Sequence, residues 1–316
     1  MALLTVKGLS PPDVPSSPVR GPVLLIINPA SRRGARQRQA AVTEFALRGV
    51  ECEAVDTAAA GHAARLAMER GLAFDAVFTL GGDGTAMEVV GALAGSGQRV
   101  GILPGGTGNL VARTLGIPLD VRRAVSSLVT GAEAHIDLGR LADGRRFAFA
   151  AGIGVDAEMI ANTPHRWKRR LGMAAYVVTA GRGVLRRDTF RVSATVDGQL
   201  HECTASSVMV ANFGTVLERL ITLGPDIRED DGLLDLCIFS PANVWQAVRI
   251  IWRLARRDFR PTSYLLWVQG REFRIETDPP RMAQADGELL GMGPIEVRVE
   301  PRAARLLVPP ATGRRR

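Results

Sequence analysis

Two glycine-rich turns in this sequence have the composition of a phosphate cradle. In TLGGDGTAMEVV (79–90), an apolar run ends at Leu80 and Gly81, Gly82, Asp83 and Gly84 make a turn. Thr85 then stands where a helix N-cap belongs. Glycines let backbone N–H groups approach an anion, and a helix N-terminus adds partial positive charge. An aspartate inside such a loop repels bare phosphate, so Asp83 implies an intervening divalent cation, and hard oxygen ligands suit Mg2+. A lone GGxG run reads first as a plain strand–helix turn with the aspartate as a local cap. The pattern recurs, however, in GILPGGTGNLVAR (101–113), with Gly106, Thr107 and Asn109. A third turn, INPASRRG (27–34), offers Asn28, Ser31 and two arginines. Together the turns imply a nucleotide phosphate site. Lys7 and Lys168 are the only lysines and neither lies in a glycine loop, which argues against Walker-type ATPases and enzymes built on a loop lysine.

A second kind of chemistry sits near the C-terminus. In ADGEL (285–289), Asp286 and Glu288 are two residues apart, so on a strand both carboxylates face the same side. One can take a hydroxyl proton while the other helps to hold Mg2+. Asp-Gly is also the commonest hairpin dipeptide, and the chain has others at Asp143, Asp197 and Asp231. On composition alone Asp286 is a turn residue. Three cysteines (Cys52, Cys203, Cys237) and four histidines (His62, His135, His165, His201) are scattered, which argues against a disulfide framework or a histidine-built metal centre and fits a reducing cytoplasm.

These residues must be positioned by two different textures. The chain has 316 residues with 40 Lys+Arg against 32 Asp+Glu, a net charge of +8. At roughly 150 residues per domain, that length suggests two domains. Apolar content of 46% with 23% charged residues excludes a mainly disordered chain. The longest apolar runs fall far short of the ~20 residues that span a bilayer. Residues 1–20 lack the basic start and long apolar core of a secretory signal and read as a flexible leader. Residues 21–134 alternate apolar runs (22–29, 50–55, 75–80, 99–104) with helical patterns (35–49, 61–72, 85–95, 109–117, 118–131). That is the signature of a doubly wound, mostly parallel α/β domain. Residues 135–302 break into short runs separated by Asp-Gly, Gly or Pro turns, as in an antiparallel sandwich or open barrel, interrupted by helices near 164–185 and 241–257. A basic tail occupies 309–316.

The ordered set of motifs resembles the diacylglycerol kinase catalytic-domain family, which includes bacterial lipid kinases and the sphingosine and ceramide kinases. The likeness runs from Asn28-Pro29 through GGDGT (81–85) with Glu88 and PGGTGN (104–109). It continues through AGIGVDAEM (151–159), REDDGLLDL (228–236) and QADGELLG (284–291), covering about residues 22–308. It implies an α/β nucleotide-binding domain and a β-sandwich lipid-substrate domain with the active site in the cleft between them. The final strand, about 303–308, returns to the first domain. The implied ATP-binding set is Asn28, Thr57, Gly81, Gly82, Asp83, Gly84, Thr85, Glu88, Gly106, Thr107 and Asn109. Asp286 is the implied general base, with Glu288 and Asp83 on the Mg2+ and water network. A second, structural metal site is implied at Asp231 and the Leu233 carbonyl, where Arg228 occupies a ligand position that only its carbonyl could fill. Met87 stands where the family commonly has asparagine, and Leu110 where it often has aspartate.

The function implied is ATP- and Mg2+-dependent phosphorylation of a diacylglycerol-like lipid by a cytoplasmic protein peripherally attached to the membrane. The partners are the lipid and an anionic membrane surface, with a homodimer as a further partner and no nucleic acid. The rivals are an NAD kinase, which shares GGDGT, and a catalytically silent lipid- or nucleic-acid-binding protein of the same fold. Two basic segments, HRWKRRLGMAAYVVTAGRGVLRR (165–187) and VWQAVRIIWRLARRDFR (244–260), mix arginine with tryptophan. They read equally as membrane-contacting helices or as amphipathic helices with a solvated arginine face.

Overall fold

The computed structural model describes residues 18–154, 189–216, 221–222, 224, 227–260 and 262–310. The chain divides into two compact units: one ends at Ile136 and resumes at Arg302, and the other is Asp137–Pro301.

In the first unit, β1 (Val23–Ile27), β2 (Cys52–Asp56), β3 (Ala76–Gly81) and β4 (Arg99–Pro104) form a parallel sheet in the order β2-β1-β3-β4. They alternate with α1 (Gly34–Leu47), α2 (His62–Arg70) and α3 (Asp83–Ala92). After β4 come α4 (Leu110–Thr114), α5 (Val121–Val129) and β5 (Ala132–Leu141). Every residue of β1, β3 and β4 is buried. Such continuous apolar runs belong to strands covered on both faces. Accordingly, α1 packs with α5 while α2 packs with α3. The core is tight enough to dictate residue type. Phe45 of α1 meets Phe78 of β3 edge-on, with ring centroids 4.8 Å apart. A Cβ at Gly101 would lie 2.3 Å from the Phe78 ring.

The sheet gains one more parallel strand. The last residues of β18 (Ile295–Val308) pair with β4 through Arg305↔Arg99 and Leu306↔Val100. Buried Arg99 pairs with Asp75 and lies 3.5 Å from Glu133, which Arg305 Nη2 also reaches at 2.6 Å. Burial alone would raise the Asp75 carboxyl, but the N–H groups of Gly21 and Arg20 and the Arg99 guanidinium bring it below its usual range.

The second unit holds two antiparallel sheets. One runs β18-β15-β8-β9, with β15 at Glu272–Asp278, β8 at Phe190–Val196 and β9 at Gln199–Ala205. The other runs β14-β13-β10-β7-β16-β17: Leu265–Gly270, Leu234–Phe239, Ser207–Ala211, Ala150–Gly154, Met282–Ala285 and Glu288–Met292. Short β6 (Arg146–Phe147) pairs with β5, and β11 (Thr215–Val216) pairs with β12 (Ile221–Thr222). Burial alternates along β8 and β15. Their inward residues Val192, Ala194, Phe273 and Ile275 share one core with Ile153, Val208 and Leu236 of the other sheet. The unit is therefore a sandwich.

Of the two helices expected here, the one near 164–185 lies outside the described residues. The other forms α6 (Val244–Ala255), where Asn243 accepts the Gln246 N–H at 2.9 Å and caps the helix. No described helix is long and apolar enough to cross a membrane.

Candidate active site

Three turns leave the carboxyl ends of neighbouring strands β1, β3 and β4, where open α/β sheets bind their ligands. Hydrogen bonds join all three. The Arg33 N–H donates to the Gly105 carbonyl at 2.9 Å, and the Gly105 N–H donates to the Gly81 carbonyl at 2.8 Å. Asn28 Nδ2 donates to Thr85 Oγ1 at 3.0 Å, while Asn28 Oδ1 accepts the Ala30 N–H. The two glycine turns pack backbone against backbone. A Cβ at Gly105 would come within 2.9 Å of the Gly81 nitrogen, and one at Gly106 within 2.6 Å of the Gly82 Cα. Gly82 differs, because a Cβ there would meet only the Gly106 Cα at an ordinary 3.8 Å. Among the described residues nothing crowds a side chain at 82.

One expectation about these turns needs correction. Thr85 is not the N-cap: α3 begins at Asp83 behind Gly82, and Thr85 lies inside the first turn with its hydroxyl turned to Asn28. The Asp83 carboxylate is bonded across to the second glycine turn. Its Oδ1 accepts the Val111 N–H at 3.1 Å, and the N–H groups of Leu110 and Asn109 also bond it. The short helix α4, whose own N-cap Asn109 sits at φ 50° without a side-chain cap bond, is thus capped from the other loop. Burial raises the Asp83 carboxyl above its usual range, and those amides only partly offset it.

The remaining turn residues divide into those bonded within the protein and those presented outward. Asn109 closes its own loop, accepting the Gly106 N–H at 2.9 Å and donating to the Gly106 carbonyl. Glu88 accepts the Ala63 N–H at 3.2 Å, in the first turn of α2. Thr57 follows β2, its N–H on the Ile27 carbonyl. Gly84 and Thr107 are exposed.

In the second unit, Asp286 and Gly287 have φ of 46° and 90° and join β16 to β17 with Ala285 facing Glu288. This is a two-residue hairpin turn. The expectation that Asp286 and Glu288 share one face of a strand therefore fails: Asp286 is on the turn, and exposed Glu288 opens the next strand. The Asp286 carboxylate is nonetheless held firmly. Oδ2 accepts the Ala148 N–H at 2.7 Å, and Oδ1 accepts those of Phe149 and Ala150 at 2.9 and 3.1 Å. Charge-assisted bonds of this kind fix orientation as well as charge.

Behind those amides lies a residue that sequence reading missed. Asn212 is fully buried, and its Nδ2 donates to the carbonyls of Ala148 (2.8 Å) and Asp137 (2.7 Å). Its backbone N–H donates to the Phe149 carbonyl, while its Oδ1 has no partner among the described residues. An asparagine ending the apolar run SSVMVANF was the available signal, since buried amides are seldom tolerated without a task.

Asn212 also leads to the acidic segment. Asp137 Oδ2 accepts the Gly232 N–H at 2.6 Å, and Asp231 Oδ1 accepts the Leu233 N–H at 3.0 Å. Burial raises the carboxyls of Glu229 and Asp231, and Asp137 adds like charge to both. The Arg228 guanidinium lies 3.1 Å from Asp230 Oδ1, so its side chain supplies counter-charge. Among the described residues no group of three or more His, Cys, Asp or Glu side chains is arranged to hold a metal. The cysteines hold no nucleophile for neutral pH, since burial pushes the Cys52 thiol up to about 12 and raises Cys203 and Cys237 too.

The described fold sets glycine-rich turns without lysine on a parallel sheet and follows them in the chain with an antiparallel sandwich. The family model for the diacylglycerol kinase catalytic domain matches residues 22–141, and that for the YegS C-terminal NAD kinase beta sandwich-like domain matches 149–308. The chain belongs to the diacylglycerol kinase catalytic-domain family. It is 30% identical over 280 residues to the diacylglycerol kinase of Bacillus subtilis, covering 86% of this chain and 91% of that one. An uncharacterised Synechocystis protein is 26% identical over 237 residues, 74% of this chain, which spans about half (54%) of that protein's length. The fold matches a crystal structure described as a candidate diacylglycerol kinase of Bacillus anthracis. That match has a TM-score of 0.78 and 25% identity, and covers 95% of this chain and 98% of that one.

Proposed function

We propose that the protein transfers the γ-phosphoryl group of ATP to the free hydroxyl of a diacylglycerol-like lipid, with Mg2+ carried on the nucleotide. The observation that carries this reading is the hydrogen-bonded junction of three turns, which brings Gly82 and Gly106 together at one sheet edge with no lysine among the described residues. Backbone N–H groups there suit the ATP phosphates, and the α3 N-terminus favours their charge. Phosphoryl transfer asks for positioning, charge neutralisation and a proton acceptor. Asn28, Thr57 and Thr85 would orient the nucleotide, and Asn109 and Glu88 would hold the loops that carry it. Mg2+, when bound, neutralises charge on the phosphates; Asp83 and Glu288 are the carboxylates assigned to it and its waters. Asp286 is assigned as the acceptor of the hydroxyl proton as the lipid oxygen bonds phosphorus and ADP leaves. Three amides already orient its carboxylate, so little reorganisation is needed. We assign Asp231 and the Leu233 carbonyl as a secondary cation site and derive no step from it.

The test is incubation of the purified chain with γ-radiolabelled ATP, detergent-dispersed lipids and, separately, NAD. Label should appear on a diacylglycerol-like lipid and vanish when Mg2+ is chelated. Label on NAD alone would replace this reading with an NAD kinase.

A further inference from the structure

Helix α6 has two stripes, and its outward one is not polar. Ala247, Ile250 and Leu254 are buried, the last two packing with Leu265 against Phe239, Phe259 and Trp267. Arg253 is buried as well, held by Asp258 and the Arg260 carbonyl. On the solvent side, Trp245 is 83% exposed, Val248 43% and Trp252 53%. Their spacing of three and four residues sets them on one face. Exposed Arg249 and Arg256 lie along that face, the Arg256 guanidinium 4.3 Å from the centroid of the Trp252 ring, and Arg257 follows. The helix contains no carboxylate, and the next one in the chain, Asp258, is already paired with Arg253 and Arg260.

A solvated helix face ordinarily carries polar residues, so two exposed indoles in one stripe mark an interaction surface. The chemistry selects its partner. Indoles prefer the boundary between headgroups and acyl chains, and guanidinium groups that have no carboxylate partner among the described residues suit phosphate. We propose that α6 lies on an anionic phospholipid surface, with Trp245, Val248 and Trp252 entering the headgroup layer and Arg249, Arg256 and Arg257 meeting lipid phosphates. The inference rests on the reading that the substrate is a membrane lipid, but its test uses neither nucleotide nor turnover.

The experiment is co-sedimentation of the full chain with phosphatidylglycerol-containing vesicles and with pure phosphatidylcholine vesicles. Binding should favour the anionic vesicles, and Trp245→Ala/Trp252→Ala and Arg249→Glu/Arg256→Glu should each weaken it about tenfold or more. Both double variants should keep the wild-type circular dichroism and the turnover of a short-chain, detergent-dispersed lipid. Wild-type vesicle binding by both variants would overturn the proposal. So would a dimer that Trp245→Ala/Trp252→Ala converts to monomer, because the stripe would then belong to a second copy. Vesicle binding without lipid phosphorylation would uphold the surface and sink the kinase reading; phosphorylation of dispersed lipid without vesicle binding would do the reverse.

Discussion

Asp197-Gly198 and Asp286-Gly287 are nearly the same object. Both are two-residue turns, with φ of 48° and 83° in the first and 46° and 90° in the second. Both carboxylates accept N–H bonds from a neighbouring segment: Asp197 from Arg271 and Glu272, and Asp286 from Ala148, Phe149 and Ala150. The difference lies one layer deeper. The partners of Asp197 open strand β15, whereas those of Asp286 lie between β6 and the start of β7 and are gripped from behind by buried Asn212. A hairpin needs only the first arrangement. The second spends a buried amide on fixing a carboxylate, which is the support expected beneath a working group.

The largest effect should separate the two turns. Asp286→Asn keeps a residue that tolerates positive φ but turns one N–H acceptor into a donor, so the variant should fold with a loss of about 1–3 kcal/mol and lose about 10²- to 10⁴-fold in phosphoryl transfer. Asp197→Asn should leave turnover unchanged, and equal losses in the two variants would erase the distinction. Gly82→Ala and Gly106→Ala sharpen the same contrast in the first unit. The 106 side chain would collide with the Gly82 backbone and should cost about 1–3 kcal/mol in denaturant melts. The 82 side chain should leave stability intact and weaken ATP binding in calorimetry.

A smaller effect is expected at Asn212→Ala, which leaves the Asp137 and Ala148 carbonyls without their donor. It should lower stability by roughly 1–3 kcal/mol in chemical unfolding and reduce turnover without raising the KM for ATP. The smallest concerns Asp83. Its folded pKa is raised by burial, so its contribution to stability is fullest when protonated and falls as pH rises through that pKa. Asp83→Asn should therefore gain on wild type in thermal melts as pH rises from the acid side to neutrality, while losing Mg2+-dependent ATP affinity. A variant that instead lost ground on wild type with rising pH would contradict the assigned burial.

Much of this was readable from periodicity. Continuous apolar runs marked the buried parallel strands, and alternating ones such as FRVSATV marked the sandwich, because burial on two faces or one leaves that imprint. The three turns were legible because glycine, hydroxyl and amide residues cluster where strands end. What the chain hid were contacts across sequence distance. Asp83 caps a helix 28 residues on, and Asp286 is bonded to amides 136 to 138 residues away. Thr85 was misplaced because the helix N-cap is a glycine, Gly82, three residues earlier. Asn212 looked like the end of a strand because only its partners reveal its work.

The central claim is that the amide-lined turns at Gly81–Thr85 and Gly105–Thr107 hold a triphosphate. A crystal structure with Mg2+ and a non-hydrolysable ATP analogue tests it most directly. The account predicts β- and γ-phosphate oxygens within hydrogen-bond reach of backbone N–H groups in both turns, beside Gly82. An analogue bound elsewhere, with both turns empty at saturating concentration, would contradict it.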